Sequence, residues 1–243
     1  MLKDELSTFN LLMLPTVILP GYLEGAIAYL PLQQSLQNLG FPTFTVPLRR
    51  RDWLPTLGGR PVTPILQQLH QTVKLALEQS STGQINLIGH SAGGWISRIY
   101  LGEKPYLGRN ELKAIAPYNA RANIANLITL GTPHISQERW TRWNLDFVNN
   151  NYPGAFYPDI RYICVAGKTI LGDRRPGKWL AYSSYQQTCG IGNTWGDGIT
   201  PIIAAHLEGA ENLIIENVNH SPRSLKSWYG SPEILHTWVS YLT

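Results

Sequence analysis

The chain has 243 residues, of which 43% are apolar and 15% charged, a balance too apolar and too weakly charged for a disordered chain. Its 20 Lys and Arg against 16 Asp and Glu leave a net charge of +4, which by itself gives no nucleic-acid footprint and mildly favours an anionic membrane surface. The two cysteines, Cys164 and Cys189, are too few for a disulfide framework or a zinc site.

Residues 1–10 carry Asp4 and Glu5 and no apolar core of signal-peptide length, and no apolar run approaches the roughly 18 residues that span a bilayer. The expected location is the cytoplasm, with peripheral membrane contact at most. This length fits one large domain or two small ones, and the order of elements favours a single α/β domain over 1–243 with an inserted cap.

In chain order, a first strand is expected at Thr16–Leu19, followed by Leu19-Pro20-Gly21-Tyr22-Leu23-Glu24-Gly25, a loop with two glycines around exposed backbone. A helix at Leu30–Leu39 and a strand at Thr43–Val46 come next, then Arg49, Arg50 and Arg51 beside Asp52. In the helix at Pro64–Gln79, Ile65, Leu66, Leu69, Val73 and Leu77 make one apolar stripe to lay against a sheet. A strand at Ile85–Ile88 leads into Gly89-His90-Ser91-Ala92-Gly93 and a helix at Ala92–Gly102.

Strands at Ile124–Leu130, Arg161–Ala166 and Leu213–Val218 follow, with helices at Pro201–Leu207 and Pro232–Leu242. Residues 134–159, rich in Trp and Tyr, and 168–195 fit the alternation poorly and are read as cap or lid insertions over the C-terminal edge of the sheet, where ligands bind in such folds. The fold class is therefore α/β: a mostly parallel open sheet of about six strands flanked by helices, with a small aromatic-rich cap.

Gly-x-Ser-x-Gly between a strand and a helix is the setting in which a tight turn holds a serine hydroxyl out of the backbone, with glycines on either side to let the chains approach. The helix beginning at Ala92 directs free amides to the same point, where an oxyanion would develop. Ser91 is thus the candidate nucleophile, and it requires a base and an acid to orient that base.

Of the six histidines, His220 follows the last strand in a loop that can fold back over the sheet edge, and is favoured as the base. Asp197, in the tight Trp195-Gly196-Asp197-Gly198 loop, is favoured over Asp173, which sits among arginines, as the acid. The amides of Tyr22 and Ala92 are the expected oxyanion donors, with Leu23 the fallback for Tyr22. His134 is expected to line the pocket, and the substrate-facing set is completed by Leu23, His90, Trp140 and Trp143.

The Pro20-Gly21 loop, Gly-His-Ser-Ala-Gly, Leu130-Gly131-Thr132-Pro133-His134 and Gly196-Asp197-Gly198 together resemble the lipase and esterase branch of the α/β-hydrolase superfamily over nearly the whole chain. Residues 41–53, FPTFTVPLRRRDW, are similar to lipase-like proteins of cyanobacteria and plant plastids. The resemblance implies a serine carboxylic ester hydrolase of lipid metabolism, with Ser91, Asp197 and His220 as its triad and no metal or organic cofactor. In place of the family's common His-Gly, this chain has Leu19-Pro20-Gly21, which removes a side chain that often supports the oxyanion loop.

Acyl transfer to an alcohol by the same triad, and a non-catalytic ligand-binding protein on this fold, are the competing readings. The expected partner is an ester or lipid substrate, not nucleic acid, and the oligomeric state has no signature in the sequence.

Overall fold

The computed structural model describes residues 13–108 and 113–243, Trp140 by its backbone alone, so the reading of Asp4 and Glu5 lies outside the described residues. Its strands are β1 (Thr16–Leu19), β2 (Thr43–Thr45), β3 (Ile85–His90), β4 (Ile124–Leu130), β5 (Arg161–Lys168), β6 (Ile170–Leu171), β7 (Trp195–Gly196) and β8 (Glu211–Glu216). Six of them form one sheet in the order β2-β1-β3-β4-β5-β8, and every neighbouring pair is parallel. The remaining two, β6 and β7, make a short antiparallel ribbon.

Parallel strands are buried on both faces, so their residues read as continuous apolar runs, and register decides which side each one serves. Val17, Leu87 and Leu127 lie side by side and face one layer. Ile18, Ile88, Ile128 and Ile163 form the adjacent row and face the other. The helices α1 (Leu30–Asn38), α2 (Thr63–Leu77), α3 (Ala92–Leu101), α4 (Arg139–Asn151), α5 (Trp179–Cys189), α6 (Ile202–Ala205) and α7 (Pro232–Leu235) supply the outer layers. The first layer is covered by α2, α3 and α4, and the second by α1 and the C-terminal segment around Leu235 and Trp238. Together these make the mostly parallel six-stranded sheet flanked by helices that the order of elements in the sequence leads one to expect.

The apolar stripe of α2 is buried at Ile65, Leu66, Leu69 and Val73, while Leu77 at its end is only partly covered. Several elements end one or more residues earlier than expected, and in two of them, β8 and α7, the structure shows what takes over. Strand β8 stops at Glu216 because Asn217 takes a left-handed φ of 61°, which asparagine tolerates better than most residues. Helix α7 stops after one turn, and a 3₁₀ turn follows at Val239–Leu242. Between them Trp238 is fully buried and its indole N–H donates to the Tyr229 carbonyl at 2.9 Å, a tertiary contact that periodicity does not encode.

Both segments read as insertions contain a helix. In 134–159, α4 buries Leu145 and Val148 in the same core as α2 and α3, joined by Tyr152 and Tyr157 just beyond it. In 168–195, α5 keeps Trp179 and Leu180 largely exposed and anchors itself through the buried Ala181 and Tyr185. Among the described residues no helix is long and apolar enough to cross a membrane.

Candidate active site

The turn between β3 and α3 sits in the middle of the sheet, at the C-terminal edge. Ser91 there has φ 51° and ψ −124°, a conformation that costs a non-glycine residue about 1–3 kcal/mol and is held by its surroundings. A Cβ at Gly89 would lie 2.5 Å from Gly94 Cα, and one at Gly93 would lie 2.4 Å from the Leu19 carbonyl oxygen, so both flanking glycines are steric requirements. The Ser91 amide donates to the Leu130 carbonyl at 2.9 Å, which pins the turn to the neighbouring strand.

Beyond β8, the left-handed turn at Asn217 carries the chain back over this edge and sets His220 Nε2 3.0 Å from Ser91 Oγ. On the other side of the ring, Nδ1 lies 2.7 Å from Asp197 Oδ2. A carboxylate can only accept, so Nδ1 carries the proton and Nε2 is left as the acceptor for the serine hydroxyl.

Asp197 follows β7, and its side chain is fully buried. Its carboxylate is nonetheless satisfied: Oδ2 also accepts from Tyr229 Oη at 2.7 Å, and Oδ1 accepts from the Ile199 and Thr200 amides at 2.9 and 2.7 Å. Burial alone would push its pKa up, but the facing His220, the Tyr229 hydroxyl and the Thr200 amide outweigh it and hold the carboxyl below its ordinary value. Tyr229 in turn accepts the Gly167 amide at 2.9 Å, so the Asp197 carboxylate is fixed to β5 as well.

The loop after β1 passes directly over the serine, close enough that a Cβ at Gly21 would meet Ser91 Cβ at 2.9 Å. Its Gly21 carbonyl accepts the Glu24 amide at 3.0 Å across a tight turn whose third residue, Leu23, has φ 57°. That is a position where glycine is usual. Among the described residues, the N–H groups of Tyr22, Leu23 and Ala92 have no intramolecular acceptor. The support expected from a His-Gly pair is supplied otherwise: Gly21 N–H donates to Tyr29 Oη at 2.9 Å, and Trp53 Nε1 donates to the Glu24 carbonyl at 2.9 Å.

Ser91 opens into a cavity of about 350 Å³ whose walls include Tyr22, Leu23, Leu57, Val62, Ala92 and Trp95. Glu138, Thr141 and Asn144 bring polar groups to one side of it. An apolar wall with a few placed polar groups is the usual make-up of a small-molecule site.

Of the side chains expected to face substrate, Leu23 does so, and His90, His134 and Trp143 lie elsewhere. His90 is buried beneath the serine, with Nδ1 2.7 Å from Tyr29 Oη and Nε2 2.9 Å from the His220 carbonyl. His134 is buried behind the elbow, 3.4 Å from Arg98 Nη1 through Nδ1, and its amide donates to the Ala204 carbonyl. Burial, then the guanidinium of Arg98, hold its pKa well below the usual imidazole value, so it packs as a neutral ring. Trp143 is half exposed on the outer side of α4, and the Trp140 side chain lies outside the described residues. Asp173 pairs loosely with Arg175 at 3.6 Å on the surface, away from His220.

Tyr29, Tyr229, Thr200, Trp95 and Glu138 take part in the site without any sequence signal to announce them. Each owes its place to how the chain folds over the sheet edge rather than to a motif.

No family model and no curated protein matches this sequence. Among solved structures, Est1E from Butyrivibrio proteoclasticus is similar at 12% identity and TM-score 0.47, over 95% of this chain and 88% of that one. The putative cell surface hydrolase from Lactobacillus plantarum is similar at 12% identity and TM-score 0.48, over 95% of this chain and 91% of that one. A predicted CIB-like hydrolase from Thermoplasma acidophilum is similar at 12% identity and TM-score 0.46, over 94% and 86%.

Proposed function

We propose that this protein is a serine ester hydrolase acting through an acyl-enzyme on a hydrophobic or lipid ester. The observation that carries the reading is the alignment of Ser91 Oγ, His220 and Asp197, at 3.0 and 2.7 Å, at the mouth of a largely apolar cavity. Ser91 Oγ attacks the ester carbonyl carbon while His220 Nε2 takes its proton, and the Tyr22 and Ala92 amides receive the oxyanion. Collapse breaks the bond to the alcohol oxygen, which leaves with the proton from Nε2. Water then repeats the sequence on the acyl-enzyme, with His220 again as base, releasing the acid and regenerating Ser91. Asp197 holds the imidazole in its productive tautomer and stabilises the imidazolium without itself being protonated.

The rim of the cavity suits an ester presented at a lipid surface. Leu57, in its wall, is 38% exposed, Leu54 one turn earlier is exposed as well, and Arg49, Arg50 and Arg51 are exposed just ahead of them after β2. The likeness of residues 41–53 to lipase-like proteins of cyanobacteria and plant plastids agrees with such a substrate and rests on those residues alone. The test is turnover of p-nitrophenyl esters from acetate to palmitate by wild type and Ser91→Ala. Hydrolysis by the first and none by the second supports the reading, and chain-length preference then measures the cavity. An inert wild type overturns it.

A further inference from the structure

His90, the residue between Gly89 and Ser91, has no part in the proposed chemistry, yet it sits at the centre of a continuous hydrogen-bond chain. Its Nε2 is 2.9 Å from the His220 carbonyl oxygen, which can only accept, so the ring proton is on Nε2. The neutral ring then offers a lone pair at Nδ1, to which Tyr29 Oη donates across 2.7 Å. The oxygen of Tyr29 is left to accept the Gly21 amide at 2.9 Å. Every donor in the run Gly21 N–H, Tyr29 O–H, His90 Nε2–H points the same way, and it ends on the backbone of the residue proposed as base.

The surroundings hold this arrangement in place. His90 is 1% exposed, and the Trp228 and Tyr229 rings pack against it with centroids 5.8 and 6.1 Å away. Burial, with the neighbouring His220, lowers its pKa to about 3, so it stays neutral at working pH. A second link runs in parallel, where the half-exposed Arg223 brings Nη2 to 2.8 Å from Oε2 of the largely covered Glu24 between the same two loops.

We infer that His90 is a positioning residue whose single tautomer locks the loop carrying the Tyr22 amide to the loop carrying His220, so that oxyanion donor and base share one register over Ser91. The inference rests on the serine-hydrolase reading for its kinetic consequence. Its structural half, the tautomer, stands apart from turnover. An imidazole is suited to the task because one ring offers a donor and an acceptor on opposite sides with no rotatable bond between them.

The experiment combines two readouts on the full chain. ¹⁵N-histidine NMR of wild type at neutral pH reads the tautomer, expected as Nε2–H for His90; an Nδ1–H ring overturns the inference whatever the activity. Kinetics with p-nitrophenyl butyrate then compare His90→Gln, whose terminal amide can reach the Nε2 position and donate to His220, with His90→Asn, whose shorter amide reaches only the Nδ1 position. Displacement of a catalytic group by about 1 Å costs on the order of 100-fold, so kcat is expected to fall about 100-fold in the Asn variant and less than about tenfold in the Gln variant, with KM little changed in both. Equal losses in the two variants, or a loss carried by KM, overturn the inference. Tyr29→Phe, which leaves the ring packing and removes the relay, is expected to lower kcat in the same manner and covers the case in which a His90 variant does not fold; full activity there overturns it as well. A wild type inert to the ester and to fluorophosphonate overturns the hydrolase reading and the positioning role with it, while a wrong tautomer in an active enzyme overturns the positioning role alone.

Discussion

Replacing Ser91 by glycine is expected to make the protein more stable than replacing it by alanine. At φ 51° and ψ −124°, any residue with a Cβ pays about 1–3 kcal/mol, and alanine keeps that Cβ. Glycine relieves the strain and loses about 0.5–1 kcal/mol through the greater freedom of its unfolded chain, leaving a net gain of about 0–2.5 kcal/mol, centred near 1 kcal/mol. Both variants lack Oγ, so the lost hydrogen bond to His220 cancels between them. For a chain of 243 residues, with melting temperature moving about 2–4 °C per kcal/mol, Ser91→Gly should melt about 2–4 °C above Ser91→Ala at the centre of that range, and up to about 10 °C above it, in differential scanning calorimetry. A glycine variant that melts at or below the alanine variant refutes the claim that this turn stores strain to present the hydroxyl.

Asp197→Asn keeps the shape of the site but can stabilise the wrong His220 tautomer, so kcat for an activated ester should drop about 10⁴-fold with KM nearly unchanged; a loss of less than tenfold would move the acid elsewhere. Tyr229→Phe removes one of the two bonds on Asp197 Oδ2 and leaves the Gly167 amide unpaired, and about a tenfold loss in kcat with a lowered melting temperature is expected. Acid should destabilise the fold from about pH 6 downward: buried His90 and His134 stay neutral when folded but take up protons when unfolded, so each one's contribution is present above pH 6.5 and falls by about 1.4 kcal/mol per pH unit below it. Below about pH 4, protonation of Asp197, whose folded pKa is lowered, adds to the loss; urea midpoints that stay flat from pH 7 to pH 4 would contradict the histidine effect, and midpoints that level off from pH 4 to pH 3 would contradict that of Asp197. Sedimentation with phosphatidylcholine vesicles should appear only when phosphatidylglycerol is included, weaken with salt, and decline when Arg49, Arg50 and Arg51 are changed to Gln; equal binding to both vesicle types would remove the basic rim from the account.

The sheet was legible because its signal is local. Thr16–Leu19 and Ile124–Leu130 are β-branched and aliphatic runs between turn residues, and both strands keep those bounds in the structure. The turn around Ser91 was legible because its steric demands fall on Gly89 and Gly93, neighbours in sequence. Helix α4 was harder to read, since its polar and aromatic surface hides the core residues Leu145 and Val148. The pocket walls were hardest. Trp143 looks like a substrate contact by composition but faces outward, whereas Trp95 and Leu57 reach the cavity from elements whose sequence speaks only of packing. Tyr29 and Tyr229 meet His90 and Asp197 across separations of 61 and 32 residues, distances over which no spacing rule operates.

The central claim is that Ser91 is an activated nucleophile, and covalent labelling tests it without assuming any substrate. Wild type and Ser91→Ala are incubated with a fluorophosphonate at pH 7.5 and digested for mass spectrometry. One adduct is expected, on the peptide carrying Ser91, absent from the alanine variant and strongly slowed in Asp197→Asn. No labelling of folded wild type, or an adduct at another residue that persists in Ser91→Ala, would contradict it.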